Sequence, residues 1–323
     1  MARKYIRFNY FTTNLVPLGL PEEMGERYFA AAWDMTEILD YISIPRNTLD
    51  GVINVGEYIA ELDRDTFIYD RQNNLYSFQI SKLRETNIPS IKSIGNPKVD
   101  LTLSPDEYIG EFVTIVYDPT YYTLSIQSNL YSLNADQVMY FLNELRWRYL
   151  AEVGEQEQLP LKVALNPIID PGRIDMAQTA DIYRKITIKG SDISAEALAQ
   201  NGTLNEVSEL IGRAQGINFE LTLSIGQAPK EESLDNDTIQ EIIEGFRNIH
   251  ILEERPKIEV TSRENIDAPL EIVNLLAPKL SNKISLIVES RRSIGFEYIH
   301  DKFVESYAIP QQTMARVLRE VGN

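Results

Sequence analysis

The chain has no cysteine and two histidines, His250 and His300. Without thiolates it can form no disulfide, no thiolate zinc site and no cysteine nucleophile. Two histidines leave little room for imidazole chemistry. Closely spaced glycines are missing too. Neither G-x-G-x-x-G nor G-x-x-x-x-G-K-[ST] occurs, so the loops whose backbone amides cradle nucleotide phosphates have no counterpart. No apolar run approaches the ~20 residues that a membrane-spanning helix needs. The segment Met1 to Arg7 leads into a strand pattern instead of a signal-peptide core, so no membrane insertion is expected and the cytoplasm is the expected compartment.

Positive charge is scarce. Against 48 Asp and Glu there are 31 Lys and Arg, a net charge of −17, and both halves of the chain are acidic. Such a surface repels phosphate backbones unless a local basic patch overcomes it. What remains is ordinary for a globular protein: 43% hydrophobic and 24% charged residues in a chain of 323. That length favours two domains over one core.

The most structured stretch is Tyr108 to Leu130, two β-branched and aromatic runs around Asp118-Pro119-Thr120, which predicts a long β-hairpin. Asn134, with Gln137 three residues on, has the form of a capping box opening a helix whose stripe is Val138, Phe141, Leu142, Leu145 and Tyr149. Upstream, alternation at Tyr5 to Tyr10 predicts an opening strand, and Met24 to Ile42 recur at helical spacing, predicting a helix from Pro21 to Pro45. Tyr58 to Leu62, Thr66 to Tyr69, Leu75 to Ile80 and Val99 to Leu103 read as short strands, with Asp63-Arg64-Asp65 as a turn and Lys82 to Gly95 as a loop.

The polar stretch 152–159 is the expected linker between domains at 1–151 and 160–323. In the second half, strands are expected at Leu161 to Ile168, Ile182 to Ile188, Ile217 to Ile225, Lys257 to Thr261 and Ile284 to Val288. Helices are expected after Thr203, after Asp237 and at the C-terminus, where Phe296, Ile299, Phe303 and Tyr307 face inward. The expected fold is α+β, two domains that are each a mostly antiparallel sheet covered by helices.

No catalytic set emerges. Asp63, Asp65 and Asp70 lie on a hairpin, as in metal-dependent nucleases, but Gln79 and Lys82 stand where an acidic-x-Lys pair would follow, so they read as turn aspartates. Asp235-Asn236-Asp237 lacks the glycine and glutamate of a calcium loop and reads as a helix cap. His250 and His300 have no ordered partner in the sequence. A non-enzymatic role without metal or cofactor is therefore expected. Basic clusters supply the candidate binding residues: Arg184, Lys185 and Lys189 on one strand, Arg146 and Arg148 around Trp147, and Arg291 with Arg292 after a strand. They could hold the phosphates of DNA or RNA, or form ion pairs with the acidic excess.

The blocks Leu83-Arg84-Glu85-Thr86-Asn87-Ile88-Pro89, Leu101-Thr102-Leu103, Glu107 to Glu111, Tyr117-Asp118-Pro119 and Ile126 to Asn129 resemble a family of uncharacterised bacterial and prophage proteins. The layout of Tyr183 to Gly190, Thr203 to Gly216 and Asn218 to Ile225 is similar to that of RexA-like phage-exclusion proteins. The resemblance implies an accessory protein of antiviral defence, a homodimer that binds DNA without sequence preference and contacts a protein of the same defence system. The alternatives are a metal-dependent nuclease or hydrolase subunit and an assembly component without nucleic-acid binding.

Overall fold

The structure, a computed structural model, describes residues 2–18, 31–170, 172–191, 205, 209, 213, 218–247, 257–275, 278–289 and 293–321. The fold is α+β. In chain order it runs β1 (Ala2–Pro17), β2 (Ala31–Ala32), α1 (Thr36–Ser43), β3 (Val52–Val55), β4 (Tyr58–Asp70), β5 (Leu75–Arg84), β6 (Ser90–Lys92), β7 (Lys98–Asp100), β8 (Ile109–Asp118), β9 (Thr123–Gln127), α2 (Ala135–Val153) and β10 (Leu161–Pro167). There follow α3 (Gly172–Gln178), β11 (Ile182–Ser191), β12 (Asn218–Ser224), α4 (Asn236–Arg247), β13 (Lys257–Arg263) and β14 (Glu271–Asn274), then β15 (Ser281–Val288), α5 (Phe296–Ser306) and α6 (Ala308–Val321). Contacts divide the chain into two compact units, residues 1–168 with 281–323, and residues 169–280. The cuts therefore fall at 168/169 and 280/281 and not at 152–159, because β10 and β15 both pair with β1.

In the first unit a nine-stranded antiparallel sheet runs β10-β1-β9-β8-β5-β4-β3, with β15 and β2 also on β1. β9 pairs with Phe8–Thr12 of β1, overlapping the stretches that meet β15 and β10, so those two strands share the opposite side of β1 end to end. Its two faces differ in chemistry. Tyr76, Phe78 and Ile80 of β5, Val113, Ile115 and Tyr117 of β8 and Leu124 and Ile126 of β9 form an apolar face. The helix α2 packs Val138, Phe141, Leu142 and Leu145 into that core, and α1 adds Ile38, Leu39 and Ile42. Residues one step along each strand point the other way. That second face carries Ser77, Gln79, Thr114, Ser125 and Gln127, all buried.

The β8–β9 hairpin forms as expected, with the Thr120 amide donating to Asp118 Oδ1 at 2.7 Å. So does the capping box at α2, where the Gln137 amide donates to Asn134 Oδ1 at 2.9 Å. The stretch expected as a linker begins as the stop of α2, with Gly154 at φ 73°. Three other elements differ. Of the helix expected from Pro21, residues 19–30 lie outside the described residues, Ala31–Ala32 pair with β1, and the helix starts at Thr36, whose amide donates to Asp34 Oδ1 at 2.9 Å. Residues 58–70 are one strand, because a bulge between Asp63 and Ile68 absorbs the expected turn. The Thr66 hydroxyl accepts from the Gln79 amide at 2.9 Å across the gap. The expected loop at 82–95 holds β6, paired with β7 as a separate two-stranded ribbon.

In the second unit the antiparallel order is β12-β11-β13-β14. Ile186, Ile188, Ile258, Val260 and Val273 pack against Ile239, Ile242 and Ile243 of α4. The helix expected after Thr203 lies outside the described residues, apart from Asn205, Glu209 and Arg213.

Candidate functional site

Most of the predicted basic residues have internal partners. Arg184 is turned onto the loop after β12, donating to the carbonyls of Pro229 at 2.5 Å, Ala228 at 2.7 Å, Glu232 at 3.1 Å and Gly226 at 3.4 Å. Arg146 is buried and meets both carboxylate oxygens of Glu157. Burial pushes the Glu157 carboxyl up, but the guanidinium and the Leu161 amide outweigh that and hold it below its ordinary value. Arg148 donates to Asp50 Oδ2 at 2.7 Å and to the Val52 carbonyl at 2.7 Å. Lys189 pairs with Glu220 at 2.9 Å. Lys185 and Lys189 are exposed and share one face of β11, opposite Ser224 and Glu220 of β12. Arg146 and Arg148 belong to the other unit. Arg291 and Arg292 lie outside the described residues, as does His250.

The polar face of the large sheet is covered by α5. His300 Nδ1 and Ser77 Oγ lie 2.9 Å apart, the Tyr307 hydroxyl donates to Asp118 Oδ2 at 2.6 Å, and the Tyr10 hydroxyl donates to Asn282 Oδ1 at 3.0 Å. Phe303 stacks on Tyr10 and on Tyr307, which also stack on each other, and meets the edge of Phe8. Burial lowers the proton affinity of His300, with Asp70 and Asp301 opposing it, and burial raises the pKa of Tyr307 and Tyr10. A serine beside an imidazole is the geometry of a nucleophile and its base. Here both side chains are buried, and the Asp70 carboxylate is spent on the Gln72 and Asn73 amides of the β4–β5 turn. The layer therefore docks a helix on a sheet.

The exposed chemistry lies elsewhere. All residues of β6 and β7 are exposed, and the ribbon holds Ile91, Ile94 and Val99 at 57%, 103% and 63% exposure, so it has no packed face among the described residues. It leaves the sheet between Arg84 and Ile109, the last partners of β5 and β8. Beside that base a groove of about 680 Å³ is lined by Glu61, Asp63, Asp65, Asp106, Leu83 and Tyr108, among others. Burial and the neighbouring Asp65 raise the pKa of Asp63, against the Asp65 backbone hydrogen bond, which lowers it. Arg64, also on the groove, donates to the carbonyls of Asn47 at 2.6 Å and Leu49 at 2.5 Å. Among the described residues no three His, Asp or Glu are placed to hold a metal ion, and no helix is long and apolar enough to cross a membrane. Reading residues 82–95 as a loop passed over the ribbon. The legible signal was the run Ile-Lys-Ser-Ile-Gly-Asn-Pro-Lys-Val, apolar residues on both sides of a Gly-Asn-Pro turn.

Fold and surface together define an antiparallel α+β protein that presents apolar residues on a ribbon of its own. The chain belongs to a family of unknown function, DUF6731, which matches residues 1–315 and so spans both units. No curated protein matches it.

Proposed function

We propose that the protein is a non-enzymatic component of phage exclusion that works by holding a protein partner, with the ribbon Ser90 to Asp100 as the contact element. The observation that carries this reading is the exposure of Ile91, Ile94 and Val99 on a ribbon with no packed face among the described residues. Isolated two-stranded ribbons are marginal in water, and contiguous exposed apolar side chains mark interaction sites. The phage-exclusion setting is supported by the layout of Tyr183 to Gly190, Thr203 to Gly216 and Asn218 to Ile225, which is similar to that of RexA-like phage-exclusion proteins, while the blocks that resemble uncharacterised bacterial and prophage proteins flank the ribbon at Leu83 to Pro89 and Leu101 to Leu103.

A photo-crosslinking amino acid placed at Ile94 of the full chain in cells tests the reading. A protein adduct at Ile94, absent when the same group replaces exposed Glu264, is the expected result. Equal labelling at both positions, or none at Ile94, overturns it.

A second reading is sequence-independent nucleic-acid contact, favoured by Lys185 and Lys189 standing exposed on one face of β11. Fluorescence anisotropy against single- and double-stranded DNA and RNA checks it. Lys185→Ala with Lys189→Ala should weaken binding equally across sequences and flatten the log–log salt slope by about 2. An unchanged slope removes these lysines from the contact.

A further inference from the structure

We infer that the ribbon's partner is a second copy of this chain, two ribbons lying antiparallel so that each tip fills the groove at the base of the other. The inference rests on the ribbon being a protein contact and adds its occupant.

The first argument is charge. In a chain of net charge −17, the ribbon carries Lys92 and Lys98 beside Asp100, whereas the groove is lined by Glu61, Asp63, Asp65 and Asp106. Its one arginine, Arg64, is held on the carbonyls of Asn47 and Leu49. Burial, and after it the charge of Asp65, raises the proton affinity of Asp63, and an incoming ammonium offsets both by favouring its charged form. Lys92 donates to the Asn96 carbonyl within its own ribbon, and an ammonium group has three donors to share.

The second argument is shape. The groove also has apolar lining, Val52, Ile59, Leu83 and Tyr108, of the kind that Ile91 and Ile94 need. The third is placement. Leu83, Asp106, Tyr108 and Gly110 line the groove and are also the residues from which the ribbon springs, so tip and groove sit at opposite ends of one segment. Turning a second ribbon end for end sets tip on base twice, and the contact is closed by a twofold axis. Side by side about that axis, the free edge of one ribbon strand faces the same edge of its copy, as unpaired edges do when they add to another strand.

Sedimentation velocity of the full chain from low to high micromolar concentration, at low and at high salt, tests the proposal. The expected result is a dimer that dissociates as salt rises. Lys92→Glu with Lys98→Glu should be monomeric throughout, and adding Glu61→Lys with Asp106→Lys should restore the dimer. Ile94→Asp should raise the dissociation constant at least tenfold. A wild-type monomer at every concentration overturns the proposal, as does a dimer indifferent to the ribbon substitutions. The crosslinker at Ile94 separates the two readings. In purified protein it should join two copies, with the adduct on Leu83 or Tyr108. Adducts only to a different protein in cells overturn the second copy and leave the ribbon as a contact; no adduct in either setting overturns both.

Discussion

Burial decides what His300 can do. Its ring is held against Ser77 beneath α5, and the buried position lowers its pKa from the ordinary 6.5 in spite of Asp70 and Asp301. The folded state thus binds this proton less readily than the unfolded chain. The stability it contributes is complete above the ordinary imidazole value and is lost as pH falls from there through the lowered one. Thermal melts should show a lower Tm at pH 5 than at pH 7, and His300→Gln should remove part of that difference; an undiminished difference would assign it to carboxylates alone. None of this could be read from the sequence, where His300 has no partner within reach and Ser77 lies 223 residues away. Arg184 teaches the same lesson. Its charge was visible, but the carbonyls that use it are supplied by residues 226–232, past a long intervening stretch. Side-chain type is local information, whereas the partner that commits a side chain is tertiary.

Elements built from neighbours in sequence were the legible ones. The box of Asn134 and Gln137, the turn at Asp118 and the C-terminal helices each depend on residues a few positions apart. The helix expected from Pro21 to Pro45 depends on more than its own period. There β1 takes Ala31 and Ala32 as strand partners, and the Tyr117 hydroxyl accepts from the Met35 amide at 3.0 Å, so tertiary contacts override helical spacing in the described part. In β4 the acidic run Asp63-Arg64-Asp65 looked like a turn because turn residues and bulge residues share the same chemistry. β7 overlaps the strand expected from Val99, but β6 was missed for the opposite reason, since a three-residue strand falls below the length at which alternation is informative. Because β5 and β8 pair up to Arg84 and Ile109 without it, the ribbon is separable. Replacing residues 88–101 by a short glycine-serine turn should leave the melting temperature of the first unit within a few degrees, as circular dichroism would show. A collapse of the melt would mean that the ribbon supports the sheet.

At the scale of the whole molecule the α+β class was legible and the division of the chain was not. Polar composition marks exposed segments, and 152–159 is one, but it cannot show that a strand 120 residues further on belongs to the first sheet. The pairing of Asn9 with Ser281 and of Phe11 with Pro167 sets the ends of β15 and β10 two residues apart along β1. Residues 169–280 leave and return at that point, and their own ends are bridged by Ile169 and Lys279. A chain with 169–280 replaced by a short flexible link should therefore fold and melt cooperatively. A chain ending at residue 159 should aggregate, because β1 then lacks both strands on one side and the aromatic layer around Tyr10 has no cover. Size-exclusion chromatography and calorimetry distinguish these outcomes.

That arrangement also sets a timetable. On the ribosome β1 emerges long before β15, the strand that pairs with its Ala2–Asn9 stretch and ends at Val288. Until β15 has been made the nascent chain carries an unzipped seam along Ala2–Asn9, while the second unit, contained in sequence between the two segments of the first, can finish folding. The inserted unit is thus complete before the sheet that brackets it, and the Ala2–Asn9 half of β1 is among the last stretches to be locked in place.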